Sequence, residues 1–123
     1  MTASHFKFVL PQEIPSLNEY LGWHWTERSR IRKVYESEIL VQKANKFKYP
    51  KEFPLKKCTI KVISYRHSLI TDYDNRILKG LLDALVNQGI IEDDNEKIIG
   101  VPGYEQFVDR SARRTEIYIT EGR

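Results

Sequence analysis

The chain has 123 residues, 20 Lys plus Arg against 17 Asp plus Glu, a formal net charge of +3 and 41% hydrophobic residues. That length suits one domain, 1–123, with a modest core, and the hydrophobic share without low-complexity stretches argues against disorder. No apolar run nears the roughly 18 residues of a membrane span, the N-terminus lacks the apolar core of a signal peptide, and Cys58 has no intrachain disulfide partner, so a cytoplasmic protein with no membrane association is expected.

In chain order, Phe6–Leu10 alternates as a strand and stops at Pro11. Pro15-Ser16-Leu17-Asn18-Glu19-Tyr20 has the turn formers of a loop ending near Gly22. From about Thr26 to Lys46 a helical period places Ile31, Val34, Tyr35 and Val41 on one face. Tyr49–Pro54 is a connection. Lys57–Tyr65 alternates Cys58, Ile60 and Val62 against Thr59, Lys61 and Ile63, the pattern of a strand.

Asp74 to Asn87 reads as a second helix with an apolar stripe of Ile77, Leu78, Leu81, Leu82 and Leu85, stopped by Gly89. Two further strands are expected at Ile98–Val101 and Thr115–Thr120, separated by a polar loop around Asp109–Arg113. The order β-α-β-α-β-β predicts an α+β fold of two layers: one mixed β-sheet with both helices packed on one face.

The chemistry concentrates in Asp72-Tyr73-Asp74-Asn75 and, nineteen residues after Asp74, in Asp93-Asp94. Each element has a structural explanation of its own. Asp74 suits a helix N-cap, and Asp93-Asp94-Asn95 suits a polar turn. Together they point further, because clustered carboxylates repel unless a cation lies between them. Fourteen helical residues advance about 21 Å and five extended ones run back about 16 Å, so Asp94 can return to the N-terminal half of the helix. A compact Asp72, Asp74 and Asp94 set would hold Mg²⁺, with Mn²⁺ as a substitute, against a phosphodiester. Lys79 lies on the same helix, and Lys79–Asp83 at i,i+4 is in the simplest case an exposed ion pair. Beside a metal, its ammonium can stabilise the charge of a pentacovalent phosphate or protonate a leaving oxygen.

Two other acidic motifs do not match. An EF-hand loop starting at Asp72 needs an oxygen ligand at its fifth position and Gly at its sixth, where Arg76 and Ile77 stand. A nucleotidyltransferase Asp-x-Asp follows a Gly-Ser turn, and Ser64-Tyr65-Arg66-His67 supplies none. His5, His24 and His67 are too scattered for a zinc site.

The pattern Asp72-x-Asp74-Asn75…Lys79-x-x-x-Asp83-Ala84-Leu85…Gly89…Asp93-Asp94 resembles the RusA family of Holliday-junction-resolving endonucleases, common in prophages. Phe8-Val9-Leu10 with Pro15-Ser16-Leu17-Asn18, and His24-Trp25 with Arg28 and Lys33, are similar to the family's N-terminal region. The resemblance implies a homodimer that nicks a four-way junction symmetrically in DNA recombination and repair. It also implies metal-binding carboxylates at Asp72, Asp74 and Asp94, a catalytic Lys79 and no small organic cofactor. The best-known pattern has two residues between the Asn and the Lys, where this chain has Arg76-Ile77-Leu78. In a continuous helix the extra residue turns the lysine by about 100°.

Arg28 and Arg32, one helical turn apart, with Lys33, read in isolation as a solvated helix face. In a nuclease they become a phosphate-binding strip, which Asn18, His24 and Arg76 would extend. The competing reading is a DNA-binding accessory protein without turnover, and a third is a nuclease for other branched nucleic acid. Ile90-Ile91 and Ile98-Ile99 are equally suited to a dimer interface and to the core.

Overall fold

A computed structural model of the chain describes residues 5–46 and 53–122. Strands β1 (His5–Leu10), β2 (Cys58–Arg66), β3 (Gly103–Val108) and β4 (Arg114–Glu121) form one mixed sheet in the order β1-β4-β2-β3. β4 pairs antiparallel with both β1 and β2, while β3 is a parallel edge strand on β2. The expected two-layer α+β architecture is present. Period-two alternation buries Phe6, Phe8 and Leu10, then Cys58, Ile60 and Val62, then Thr115, Ile117 and Ile119 on one sheet face.

Helices α2 (Trp25–Lys46) and α3 (Lys79–Asn87) pack on each other, and their Tyr35, Ile39, Leu81 and Leu85 join the same core as those strands. Gly89 ends α3 as expected. Its φ of 71° lets the Gly89 and Ile90 N–H groups reach the Val86 and Leu85 carbonyls, closing a Schellman cap. Part of the predicted Tyr49–Pro54 connection lies outside the described residues.

Four expectations need correction. The predicted loop at Pro15–Tyr20 contains a short helix, α1 (Leu17–Gly22), because Ser16 and Glu19 form a reciprocal capping box. On α2 the buried position beyond Tyr35 is Ile39, whereas Val41 is 56% exposed. The predicted strand at Ile98–Val101 is instead a helical turn, α4 (Glu96–Ile99). The Asn95 side chain caps it through the Ile98 N–H at 3.1 Å, and Gly100 at φ 62° ends it. The strand itself is β3, a few residues later.

The predicted helix Asp74–Asn87 is divided. A 3₁₀ turn, Asn75–Leu78, precedes α3, so the extra residue before Lys79 lies in a turn that winds by about 120° rather than 100° per residue. Ile90, Ile91 and Ile99 are 0–2% exposed, so they belong to the core and not to a dimer interface.

The sheet face opposite the helices carries polar and aromatic side chains. Glu116 is 6% exposed there. Its carboxylate accepts hydrogen bonds from the Tyr118 hydroxyl at 2.5 Å and Arg114 Nε at 2.7 Å, with Lys7 Nζ at 3.7 Å. Burial alone would push this carboxyl up. Tyr118, Arg114 and Lys7 outweigh burial and hold it below the ordinary 4.5. A depressed folded-state pKa stabilises the fold above the unfolded value, and that contribution is lost as pH falls through the folded value. Glu116→Gln is therefore expected to lower stability at neutral pH by about 1–3 kcal/mol. Denaturant titrations across pH should show the gap narrowing as pH drops below 4.5. An unchanged gap in acid would assign the loss to packing.

Candidate functional site

The segment entering the 3₁₀ turn is extended at Asp74, with φ −152° and ψ 144°. Successive side chains of extended backbone point to opposite sides. Tyr73 stacks on Tyr104 of β3, with ring centroids 4.3 Å apart and planes 9° from parallel. The stacking anchors to the sheet edge the segment that carries Asp72 and Asp74. The Tyr73 hydroxyl also donates to Asn75 Oδ1 at 2.5 Å, tying this strut to the turn.

Asp72 Oδ2 accepts the Asn18 backbone N–H at 2.9 Å, which joins the acidic segment to the first turn of α1. Its other oxygen, Oδ1, is buried with no hydrogen-bond partner among the described residues. Asp74 caps the 3₁₀ turn as expected, Oδ1 taking the Arg76 N–H at 2.8 Å and Arg76 Nε at 3.1 Å. The bond from the Arg76 backbone, followed by its guanidinium, holds the Asp74 carboxyl below its usual range.

After α3 the chain runs back through Ile90 and Ile91, clamped by Leu55 N–H to Ile90 O and Glu92 N–H to Leu55 O, both 2.9 Å. This return brings Asp94 to the first residue of α3. Lys79 Nζ lies 3.0 Å from Asp83 Oδ1 and 3.1 Å from Asp94 Oδ2. The hydrogen bond to Asp83, then that to Asp94, raises the Lys79 pKa above its ordinary value. The ammonium is therefore charged at neutral pH. Asp93 has a supporting role: its Oδ1 accepts the Asp94 N–H at 2.7 Å, which lowers its pKa and fixes the turn that presents Asp94.

The structure thus brings Lys79 and Asp94 together, while Asp72 is tied to α1 and Asp74 to Arg76. It does not join these into one ligand cage. Among the described residues no three of His, Cys, Asp and Glu are grouped closely enough to hold a metal ion. Two of the three carboxylates are instead neutralised locally, Asp74 by Arg76 and Asp94 by Lys79. Both cations are more than half exposed, at 59% and 55% of their side chains, so rotation can release them. The orphaned buried Asp72 Oδ1 and the hard-oxygen donor set suit a divalent cation such as Mg²⁺ or Mn²⁺.

The expected basic strip is only partly available. Arg28 is folded onto the Tyr20 ring, 4.2 Å from its centroid, and donates to the Tyr20 carbonyl at 3.0 Å, so it ties α1 to α2. Arg32 lies 3.5 Å from Glu36. Lys33 is exposed. His24 is also exposed, and its Nδ1 lies 3.0 Å from the Thr26 hydroxyl at the start of α2. Asn18 serves the site through its backbone. Sequence reasoning missed Tyr104, whose stacking partner lies far away in the chain. It also missed a cavity of about 300 Å³ between α1, α2 and α3, whose lining includes Trp23, Tyr35 and Lys79.

No family model matches the chain, and no curated protein matches it.

Proposed function

We propose that the chain is a metal-dependent, structure-selective DNA endonuclease of the RusA type, resolving four-way junctions by paired symmetric nicks. The single observation that carries this reading is the return of Asp94 onto Lys79 at the start of α3. Asp74 lies one 3₁₀ turn earlier, about 10 Å of helical rise at most from Lys79, with Asp72 two residues before it. Three acids and a charged lysine at one helix end match the needs of phosphodiester hydrolysis.

Asp72, Asp74 and Asp94 would hold Mg²⁺ or Mn²⁺, which when bound supplies Lewis-acid polarisation of the phosphate. Lys79, swung from Asp94 toward the scissile phosphate, stabilises the negative charge that builds up as the phosphorus becomes pentacovalent. Asp83 keeps the ammonium charged and near the reacting group. Arg32, Lys33, Arg76 and His24 contact phosphates and set the strand's course. Two symmetric nicks need two sites, which a homodimer supplies. Cys58 is buried and in no disulfide, which suits a reducing cytoplasm. No helix among the described residues is long and apolar enough to cross a membrane.

One observation favours a second reading, a DNA-binding accessory protein without turnover: Asp74 and Asp94 are paired with Arg76 and Lys79, and among the described residues the three carboxylates are not grouped around one point. Cleavage separates the two. A labelled four-way junction and a linear duplex with the same arms should be incubated with Mg²⁺, Mn²⁺ or EDTA. Cutting of the junction alone, and only with a divalent ion, is expected. Tight junction binding without any cutting would establish the accessory reading.

A further inference from the structure

The cavity of about 300 Å³ beside Lys79 is lined mainly by aromatic and charged groups. Tyr20, Trp23 and Trp25 supply aromatic surface, and Trp25 is 71% exposed at its edge. Arg28, Arg32 and Lys79 supply positive charge against the one carboxylate of the lining, Asp83, which Lys79 already pairs at 3.0 Å. A cavity that joins aromatic faces to a net positive charge suits a guest with a flat ring and an anion.

We propose that this cavity receives one unpaired nucleobase of a DNA strand. The base stacks on the tryptophan and tyrosine rings, and the adjoining phosphate lies against Arg32 and Lys79. A flat aromatic ring with an attached anion satisfies both kinds of lining. A purely aliphatic guest would leave the cations unmet, and a bare phosphate would leave the rings unused. The volume is at the lower end for ligand cavities, which suits one base rather than a larger cofactor. Lys79 belongs both to this cavity and to the candidate metal site, so a base drawn in here would hold its own backbone beside Asp94. At a branch point a base loses a stacking neighbour, so drawing it out costs less than from continuous duplex. The inference rests on the reading of the chain as a DNA-acting protein.

The test uses the chain's own fluorescence, since both of its tryptophans line the cavity. In EDTA, the protein is titrated with a short oligothymidylate, with an abasic oligomer of the same length, and with free thymidine monophosphate. The expected result is tryptophan quenching by the oligothymidylate and binding about tenfold or more tighter than the abasic strand, as the loss of one base stack implies. Trp25→Ala, a change at an exposed position, should erase that advantage, with Trp23 still reporting.

Equal binding of base-bearing and abasic strands, or no binding of either, would overturn the proposal. Binding of free thymidine monophosphate as tight as that of the oligomer would overturn the assignment to a DNA strand. The nuclease reading is scored separately by metal-dependent junction cleavage. Base-dependent quenching in a protein that never cuts keeps the cavity and removes the nuclease. Cutting without base dependence does the reverse.

Discussion

Asp74→Asn should abolish junction cleavage while leaving junction binding intact or improved. The amide keeps the shape of the side chain and one oxygen able to cap the Arg76 N–H, now at 2.8 Å, so the 3₁₀ turn should survive. What it loses is the negative charge needed to hold a divalent cation. Without metal, that same charge repels the DNA phosphates, which is why binding should hold or tighten. Gel-shift titration in EDTA and cleavage in Mg²⁺ on the same preparation separate the two effects. An Asp74→Asn protein that cuts at the wild-type rate would remove Asp74 from the site.

The second large effect is expected at Lys79. Lys79→Ala should reduce the cleavage rate by about 10²–10³, by analogy with removal of one transition-state donor, with little loss of junction affinity. The ion pairs that Lys79 makes are exposed, and such pairs contribute only about 0–1 kcal/mol each, so the fold should tolerate the change. Single-turnover rates with saturating enzyme isolate the chemical step from binding. Arg76→Ala provides the contrast. It should weaken binding and make its salt dependence shallower by about one phosphate contact. If Arg76→Ala is inert and Lys79→Ala cuts normally, Arg76 is the functional cation.

How far the sequence led can be judged element by element. β2 and β4 were legible because their core-facing side chains recur with a period of two, Cys58, Ile60, Val62 and Thr115, Ile117, Ile119, even though Glu116 on the other face is buried as well. β3 was not, because as an edge strand it leaves Phe107 and Val108 about half exposed and turns Gln106 inward. Its apolar pattern therefore points away from the core. The run Ile98-Ile99 is too short to distinguish strand from helix, and the Asn95 cap decided it. The capping box at Ser16 and Glu19 was present in the sequence, but Pro15, Asn18 and Gly22 suggested a loop.

In the candidate site, the spacing of Asp94 was enough to bring it back to α3, because a Schellman cap at Gly89 and the buried Ile90 and Ile91 leave the returning chain little choice. The pairing of Asp74 with Arg76 was not legible. An exposed carboxylate chooses its partner from whatever cation the local turn offers, and the 3₁₀ turn brought Arg76 within reach. The cavity was hidden for a different reason. It arises where Tyr35 of α2 meets Lys79 and Gly80 of α3, a tertiary contact that no local pattern encodes.

Mn²⁺ binding measured by electron paramagnetic resonance on the DNA-free protein tests the central claim most directly, since it needs neither substrate nor turnover. The wild-type protein should take up Mn²⁺, and Asp72→Asn, Asp74→Asn and Asp94→Asn should each weaken that uptake. Uptake by the wild type that persists undiminished in all three variants, or no uptake by the wild type at all, would contradict it.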